Sequence, residues 1–442
     1  MRRNRRHSSG RNDEGIIIIL VAVFTLFVVG AMAALSIDVV TFYTARSEAQ
    51  LAADGAALAG ARVLANSGMT SSTDSTMASN AENIALTVAT QVAQANQIGG
   101  GAATNIDVKM YPDIACGQGQ TPSQQTPCVR VTVTKNDLPT FFARIWGSRT
   151  VTVVGVATAE AYNPSGLANV GNANPTAPVA PICVKPWLLP NLNPNSPTNP
   201  IFDPQSGAIQ DSTLLGWESP NGPGSTRLHA RCTTCTPGSM TPQVWQYYPP
   251  QFDASFVAPT GSLPACALTN DFQKSIAGCV QTPIACGSQL TVDNTPDAGR
   301  DIDAANAVDC LTNTSGGQGD TIAAGVLPPQ AFTFVTGRDN PMVVGGTLAP
   351  GVDVMVSDSL AIVPVFDTTP FGAGDVSGSV TVIGFVQLFL QPTGQRVSQF
   401  GGNAYHVRTK VINMVGCGTG VSGTPVFGNG GSAVPVRLIA GQ

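Results

Sequence analysis

The chain has 442 residues, 11% charged and 43% hydrophobic, with 47 Gly, 33 Pro, 10 Cys and a net charge of -5. Length points to two or three domains, and low charge with abundant Gly and Pro suits a loop-rich exported β protein rather than a cytosolic enzyme. Five of the 22 bases, Arg2, Arg3, Arg5, Arg6 and Arg11, lie at the start against Asp13 and Glu14, so the remainder is distinctly acidic. That excludes nucleic acid as a partner, because phosphate binding needs clustered Lys and Arg.

Residues Gly15 to Ile37, GIIIILVAVFTLFVVGAMAALSI, carry no charge. At about 1.5 Å per residue the run covers roughly 34 Å, enough for a bilayer core of about 30 Å. With arginines ahead of it, the positive-inside rule puts the first 14 residues in the cytoplasm and everything after Asp38 outside. The rival is a cleaved signal peptide with an A-x-A site in Ala31–Ala34. The run is long for an h-region and continues into helix-forming sequence, so an uncleaved anchor is expected. The chain is then a single-pass protein of the inner membrane, its bulk periplasmic or extracellular. All ten cysteines fall on the exported side, from Cys116 to Cys417, where disulfides form.

The helix is expected to continue to about Asn66. Phe42, Ala45, Ala49, Ala52, Ala56, Ala59 and Val63 recur at alternating steps of three and four, a heptad seam of small residues on which another backbone can pack closely. Arg46, Gln50 and Asp54 form a polar stripe on another face. A turn, Asn66 to Met77, leads to a second helix marked by Met77, Ala81, Ile84, Val88, Val92 and Ala95 and stopped at Gly99–Gly101. Strands are predicted at Asn105–Tyr111, Cys128–Lys135 and Arg149–Ala161, with a short amphipathic helix at Leu138–Gly147. Cys116 and Cys128 bracket a loop and suit a disulfide clip. The whole has a pilin-like outline.

Residues 163–182 read as a linker, and Pro-, Asn- and Thr-rich loops run on to about Gly319. Strand patterns return at Ala331–Gly337, Val352–Asp367, Ser379–Gln391 and Tyr405–Cys417. The expected class is α+β, in segments 1–14 (basic head), 15–37 (membrane helix), 38–162 (stalk and small antiparallel sheet), 163–182 (linker) and 183–442 (β-rich, disulfide-containing, exported). Cys183 and Cys417 are candidates for tying the ends of that last domain together.

The stretch DEGIIIILVAVFTLFVVGAMAALSIDVVTFYTARSEAQLAADGAALAGA resembles the N-terminal region of TadG-like proteins of the Flp (tight-adherence) pilus machinery. The pattern is Gly15 before the span, then Asp38, Tyr43, Arg46, Gln50 and the Ala53–Ala59 block containing Asp54. FFARIWG followed by TVTVVGVATAEA is similar to what closes this region, so the resemblance covers about residues 10–161. IVPVFD and VIGFVQLFL extend it loosely. The resemblance implies a membrane-anchored assembly component whose partners are the inner membrane and other Tad/Flp pilus components, TadE-like proteins and the pilus platform among them. Prepilin peptidase substrates carry Glu at the fifth mature position, whereas this chain has Leu20 there, so processing as a pilin is not expected. Some TadG proteins carry a von Willebrand A domain with a D-x-S-x-S metal motif. Here DVSGS, Asp375–Ser379, follows TPFGAG instead of an apolar strand and reads as a turn.

No active site is expected, and no cofactor. His229, Cys232 and Cys235 stand at metal-ligand spacing, but a fourth ligand would be remote and disulfides are the simpler use. Asp293, Asp297, Asp301, Asp303 and Asp309 lack the EF-hand order and read as a solvated acidic loop. No G-x-S-x-G, P-loop or dinucleotide fingerprint occurs. The alternative reading is an anchored envelope protein whose Cys-rich β domain binds a ligand, calcium or a cell-surface glycan.

Overall fold

A computed structural model describes residues 11–114, 116, 123–147, 149–165, 177–218, 228–230, 241–251, 256–257, 266–295, 301–312, 318–391, 397–400, 404–419, 423–428 and 430–439. The class is α+β. Helix α1, Arg11–Asn66, is continuous for 56 residues. Every residue from Ile16 to Val29 is exposed, Leu26 at 75%. From Gly15 the helix is long and apolar enough to cross a membrane. Helix α2, Ser75–Ala95, follows a one-turn 3-10 helix at Met69–Ser71. Its buried face is Met77, Ala81, Ala85, Ala89 and Ala93, while Ile84, Val88 and Val92 are only half-buried. The bulky residues set the periodicity, but the small ones meet the neighbouring surfaces. Strands β1 (Asn105–Met110), β2 (Cys128–Pro139) and β3 (Thr150–Ala161) are neighbours in one sheet.

The expected amphipathic helix at Leu138–Gly147 is replaced by the end of β2 and a 3-10 turn, Ala143–Trp146. Pro139 denies an amide to a longer helix, and Gly147, at φ 98°, ends the turn in the left-handed region.

Two compact units emerge. The first comprises residues up to Ala56, Thr90–Val108 and Val131–Ala157; the second comprises Ala57–Ala89, Lys109–Arg130 and the chain from Thr158 onward. The second unit adds strands β4 (Val179–Ala180), β5 (Leu189–Pro190), β6 (Gln289–Thr291), β7 (Leu360–Phe366), β8 (Ser379–Leu390), β9 (Thr409–Gly416) and β10 (Val436–Ile439), with helices α3 (Asp271–Ala277) and α4 (Asp301–Leu311). Its main sheet runs β6-β8-β7-β5, with β9 also on β8. Strand β7, LAIVPVF, is buried along its whole length, as a continuous apolar run in a covered sheet should be. The pairings β7–β8 and β8–β9 are antiparallel, with Val363 opposite Val386 and Val386 opposite Met414. Strand β10 pairs antiparallel with the end of β3, placing Arg437 opposite Glu160. One apolar cluster joins Phe332, Phe334, Leu360, Phe389 and Ile412; another joins Leu188, Tyr248, Val292, Phe366, Val376 and Val380.

Disulfides join Cys116 to Cys128, Cys183 to Cys279, Cys266 to Cys310 and Cys286 to Cys417. The expected Cys183–Cys417 tie is therefore corrected. The Cys417 amide bonds the Ile383 carbonyl and the Gly287 amide bonds Val382, so strand β8 carries Cys286 and Cys417 to each other. The Cys183 amide bonds the Val280 carbonyl, beside Cys279.

Candidate interaction site on the helical stalk

Within the first unit the stalk part of α1 works through small side chains and three polar clamps. Ala45, Ala49, Ala52, Ala53 and Ala56 are buried, and Phe42 is half-buried. A Cβ on Gly155 of β3 would stand 2.2 Å from the Ala49 carbonyl oxygen. Only glycine permits that approach of strand to helix backbone.

Asp38 is the first clamp. It is the first residue past the apolar run, and its carboxylate accepts from the backbone amides of Phe141 (2.9 Å), Phe142 (3.0 Å) and Ala143 (2.7 Å). Desolvation pushes its pKa up, but the three amide bonds outweigh this and hold Asp38 below the ordinary carboxylate value. Gln50 is the second. Its Nε2 donates to the Val156 carbonyl (2.9 Å) and its Oε1 accepts from the Val156 amide (3.3 Å), so the side chain satisfies both polar groups of one strand residue. Asp54 accepts from the same Nε2 at 2.8 Å and orients it. Glu48 is the third, accepting from the Gly99 amide at 2.6 Å. Tyr43 (77% exposed) and Arg46 face outward.

In the second unit α1 ends differently. Val63 is buried and Ala59 half-buried, and Ala57, Gly60, Ala61, Leu64 and Ala65 are buried as well. The burial is wider than a heptad seam because a straight helix drifts about 20° per heptad and several surfaces cover this end. Beyond it, Ser67 to Ser71 are buried and seal the edge of β9. The Ser71 hydroxyl donates to the Met414 carbonyl (2.7 Å) and accepts from its amide (2.8 Å); Ser165 does the same for Gly416 (3.1 and 2.6 Å). Asn413 Nδ2 donates to the Ala65 carbonyl at 2.7 Å, and its Oδ1 accepts from the Thr70 hydroxyl at 3.1 Å. Asn163, at the head of the expected linker, donates to the carbonyls of Thr70 and Met414. Gly68, at φ 87°, supplies the left-handed residue after the helix end.

The acidic stretch is a loop at Asp293, which accepts from the Thr295 amide (3.0 Å), but its later part is helical. Asp301 and Asp303 lie on α4. Asp303 is buried and accepts from Asn270 Nδ2 (3.0 Å) and Gln273 Nε2 (2.9 Å). Burial raises Asp301 to about 7, partly offset by the Ala230 amide that it accepts at 2.6 Å. Asp303 thus ties α4 to α3 and Asp301 ties α4 to Ala230; Asp297 lies outside the described residues. Lys185 is likewise structural: its Nζ donates to the carbonyls of Ile276 (2.6 Å) and Gly278 (2.8 Å), and burial lowers it to about 7 despite Asp358. Cys232 and Cys235 lie outside the described residues, as does the side chain of His229. Among the described residues no three His, Cys, Asp or Glu side chains gather as a metal site. The DVSGS motif leads into β8 through Gly378, at φ 71°, with Val376 buried.

Of the residues that carry the Flp-pilus resemblance, Asp38, Gln50 and Asp54 thus clamp the stalk, whereas Tyr43 and Arg46 face outward. Residues 15–63 match the Tad family model, described as "Putative Flp pilus-assembly TadE/G-like". This segment is TadE/G-like. The match takes in the apolar half of α1 and the stalk, with Asp38, Gln50 and Asp54 inside it. No curated protein and no solved structure gives a match. Glu48, Gly155 and the Ser71–Asn413 lattice are not among the residues that sequence patterns single out. Gly155 carries a signal, a lone Gly inside a β-branched strand pattern, which marks close backbone approach. The lattice carries none, since its partners lie some 340 residues apart.

Proposed function

We propose that the chain is a membrane-anchored, non-catalytic component of a Flp-type pilus assembly apparatus, acting by helix packing and contacts on the exported side. The observation that carries this is the coincidence of the TadE/G-like match with one continuous helix, apolar and exposed in its first half and alanine-lined in its second. The first half anchors the chain, with the basic head in the cytoplasm, and the disulfides sit on the oxidising side. Support for packing rather than chemistry comes from the polar residues at hand. Asp38, Gln50, Glu48, Asp303 and Lys185 are all engaged with backbone or amide groups.

The exposed helix face further along the stalk, at Ser47 and Leu51, is then available to other pilus components such as TadE-like proteins. Cysteine crosslinking in native membranes tests this. Ser47→Cys and Leu51→Cys should each trap a pilus component, and a strain lacking the chain should make few or no pili. Normal piliation in that strain, with no crosslink from either position, rejects the proposal.

A further inference from the structure

The turn clamped by Asp38 combines aromatic and basic residues. Thr140 and Arg149 close it through an amide-to-carbonyl bond of 3.3 Å, and its sequence is TFFARIWGSR. Phe141 is 60% exposed, and Arg144 and Arg149 are exposed. Exposed apolar side chains that gather beside a membrane span mark a contact with lipid or a partner.

Position supplies one. Asp38 is the residue at which the apolar run ends, and its carboxylate holds the amides of Phe141, Phe142 and Ala143 within 3.0 Å. Whatever crosses the membrane up to Ile37 therefore carries this turn to the level where lipid meets water. Val39, Val40 and Tyr43, exposed at 50, 64 and 77%, leave the helix at the same level. Tyr43 stands five residues past Asp38, about 7.5 Å along the axis. The headgroup layer on each side is about 5–7 Å thick. Aromatic residues concentrate there, and arginines extend from such sites toward anionic headgroups.

We propose that Phe141, Arg144 and Arg149 of this turn, with Val39, Val40 and Tyr43, form an interfacial collar that inserts Phe141 and Tyr43 into the headgroup layer on the exported side and pairs Arg144 and Arg149 with anionic lipid. The collar makes a second membrane contact, 103 residues along the chain from Asp38 to Phe141. It fixes the rotation and depth of the stalk, because Asp38 joins the two contacts rigidly. This rests on the membrane-crossing reading of α1.

The test uses the full chain with Trp146→Phe, the emission of the remaining Trp187, Trp217 and Trp245 being subtracted as background, reconstituted in vesicles of phosphatidylcholine and phosphatidylglycerol brominated near the headgroup. Phe141→Trp should be quenched at least about twofold more than Leu51→Trp, which lies some 20 Å further up the helix. Tyr43→Trp provides a second probe of the collar should Phe141→Trp misfold. Arg144→Glu should reduce quenching only when phosphatidylglycerol is present. Protein that floats with the vesicles while neither collar probe exceeds Leu51→Trp overturns the collar and leaves the anchor intact. Protein that fails to float overturns the anchor and the collar together.

Discussion

The seam of the stalk and the sheet of the second unit hold together by different means. Between Ala45 and Ala56 the buried side chains of α1 are all alanine. Each removes roughly one methyl from water, of order 0.8 kcal/mol. The β7–β8–β9 sheet buries Phe366, Phe385, Phe389, Leu388 and Ile412, each contributing about 1.5–3 kcal/mol. The seam therefore gains little from area and depends on closeness, with Gly155 against the Ala49 backbone and Asp38, Glu48 and Gln50 satisfying nearby amides. The sheet depends on volume. One is broken by adding an atom, the other by removing several.

The largest effect is expected in the sheet. Phe389→Ala removes a ring stacked on Phe334 (centroids 5.3 Å apart) in a closed cluster and should cost about 3–5 kcal/mol in denaturant unfolding. A loss below about 1 kcal/mol would mean the sheet is not held by packed volume. Next is the edge lattice. Asn413→Ala strands the Ala65 carbonyl and the Thr70 hydroxyl in a buried setting, at about 2–3 kcal/mol in the same assay, although it deletes few apolar atoms.

The seam responds in the opposite sense to size. Gly155→Ala adds one carbon where the Ala49 oxygen already stands and should destabilise by about 1–3 kcal/mol. A neutral result there would remove closeness as the organising factor. The smallest effect concerns Asp38. Its pKa is lowered in the folded chain, so its contribution is fully present above the ordinary value of 3.8 and fades as pH falls through the folded value below that. The NMR shifts of the Phe141–Ala143 amides should report that acid limb, and Asp38→Asn should abolish it while leaving neutral-pH secondary structure unchanged.

Several of these features are legible in the residues themselves. An uncharged 23-residue run, alanine without proline and an arginine head specify a long helix with an apolar start. Strand β7 stands out as an unbroken apolar run of seven residues, and β8 and β9 as stretches rich in Val, Ile and Phe or Met. The region around β4 and β5 does not, because its strands are two residues long and take their partners from distant chain. The short helix expected at Leu138–Gly147 fails for the same kind of reason: local periodicity favours it, while Pro139 and the strand pairing of β2 do not.

Sequence alone determined where the chain is greasy, that its first two helices are long and that its cysteines favour disulfides, since these follow from residue type and near-neighbour spacing. Tertiary structure alone decided how the cysteines after Cys128 pair, that Asp301 and Asp303 turn inward, and that Asp38 and Gln50 grip backbone more than 100 residues away. Such choices depend on which polar groups lose water together, and that is settled only when distant segments meet.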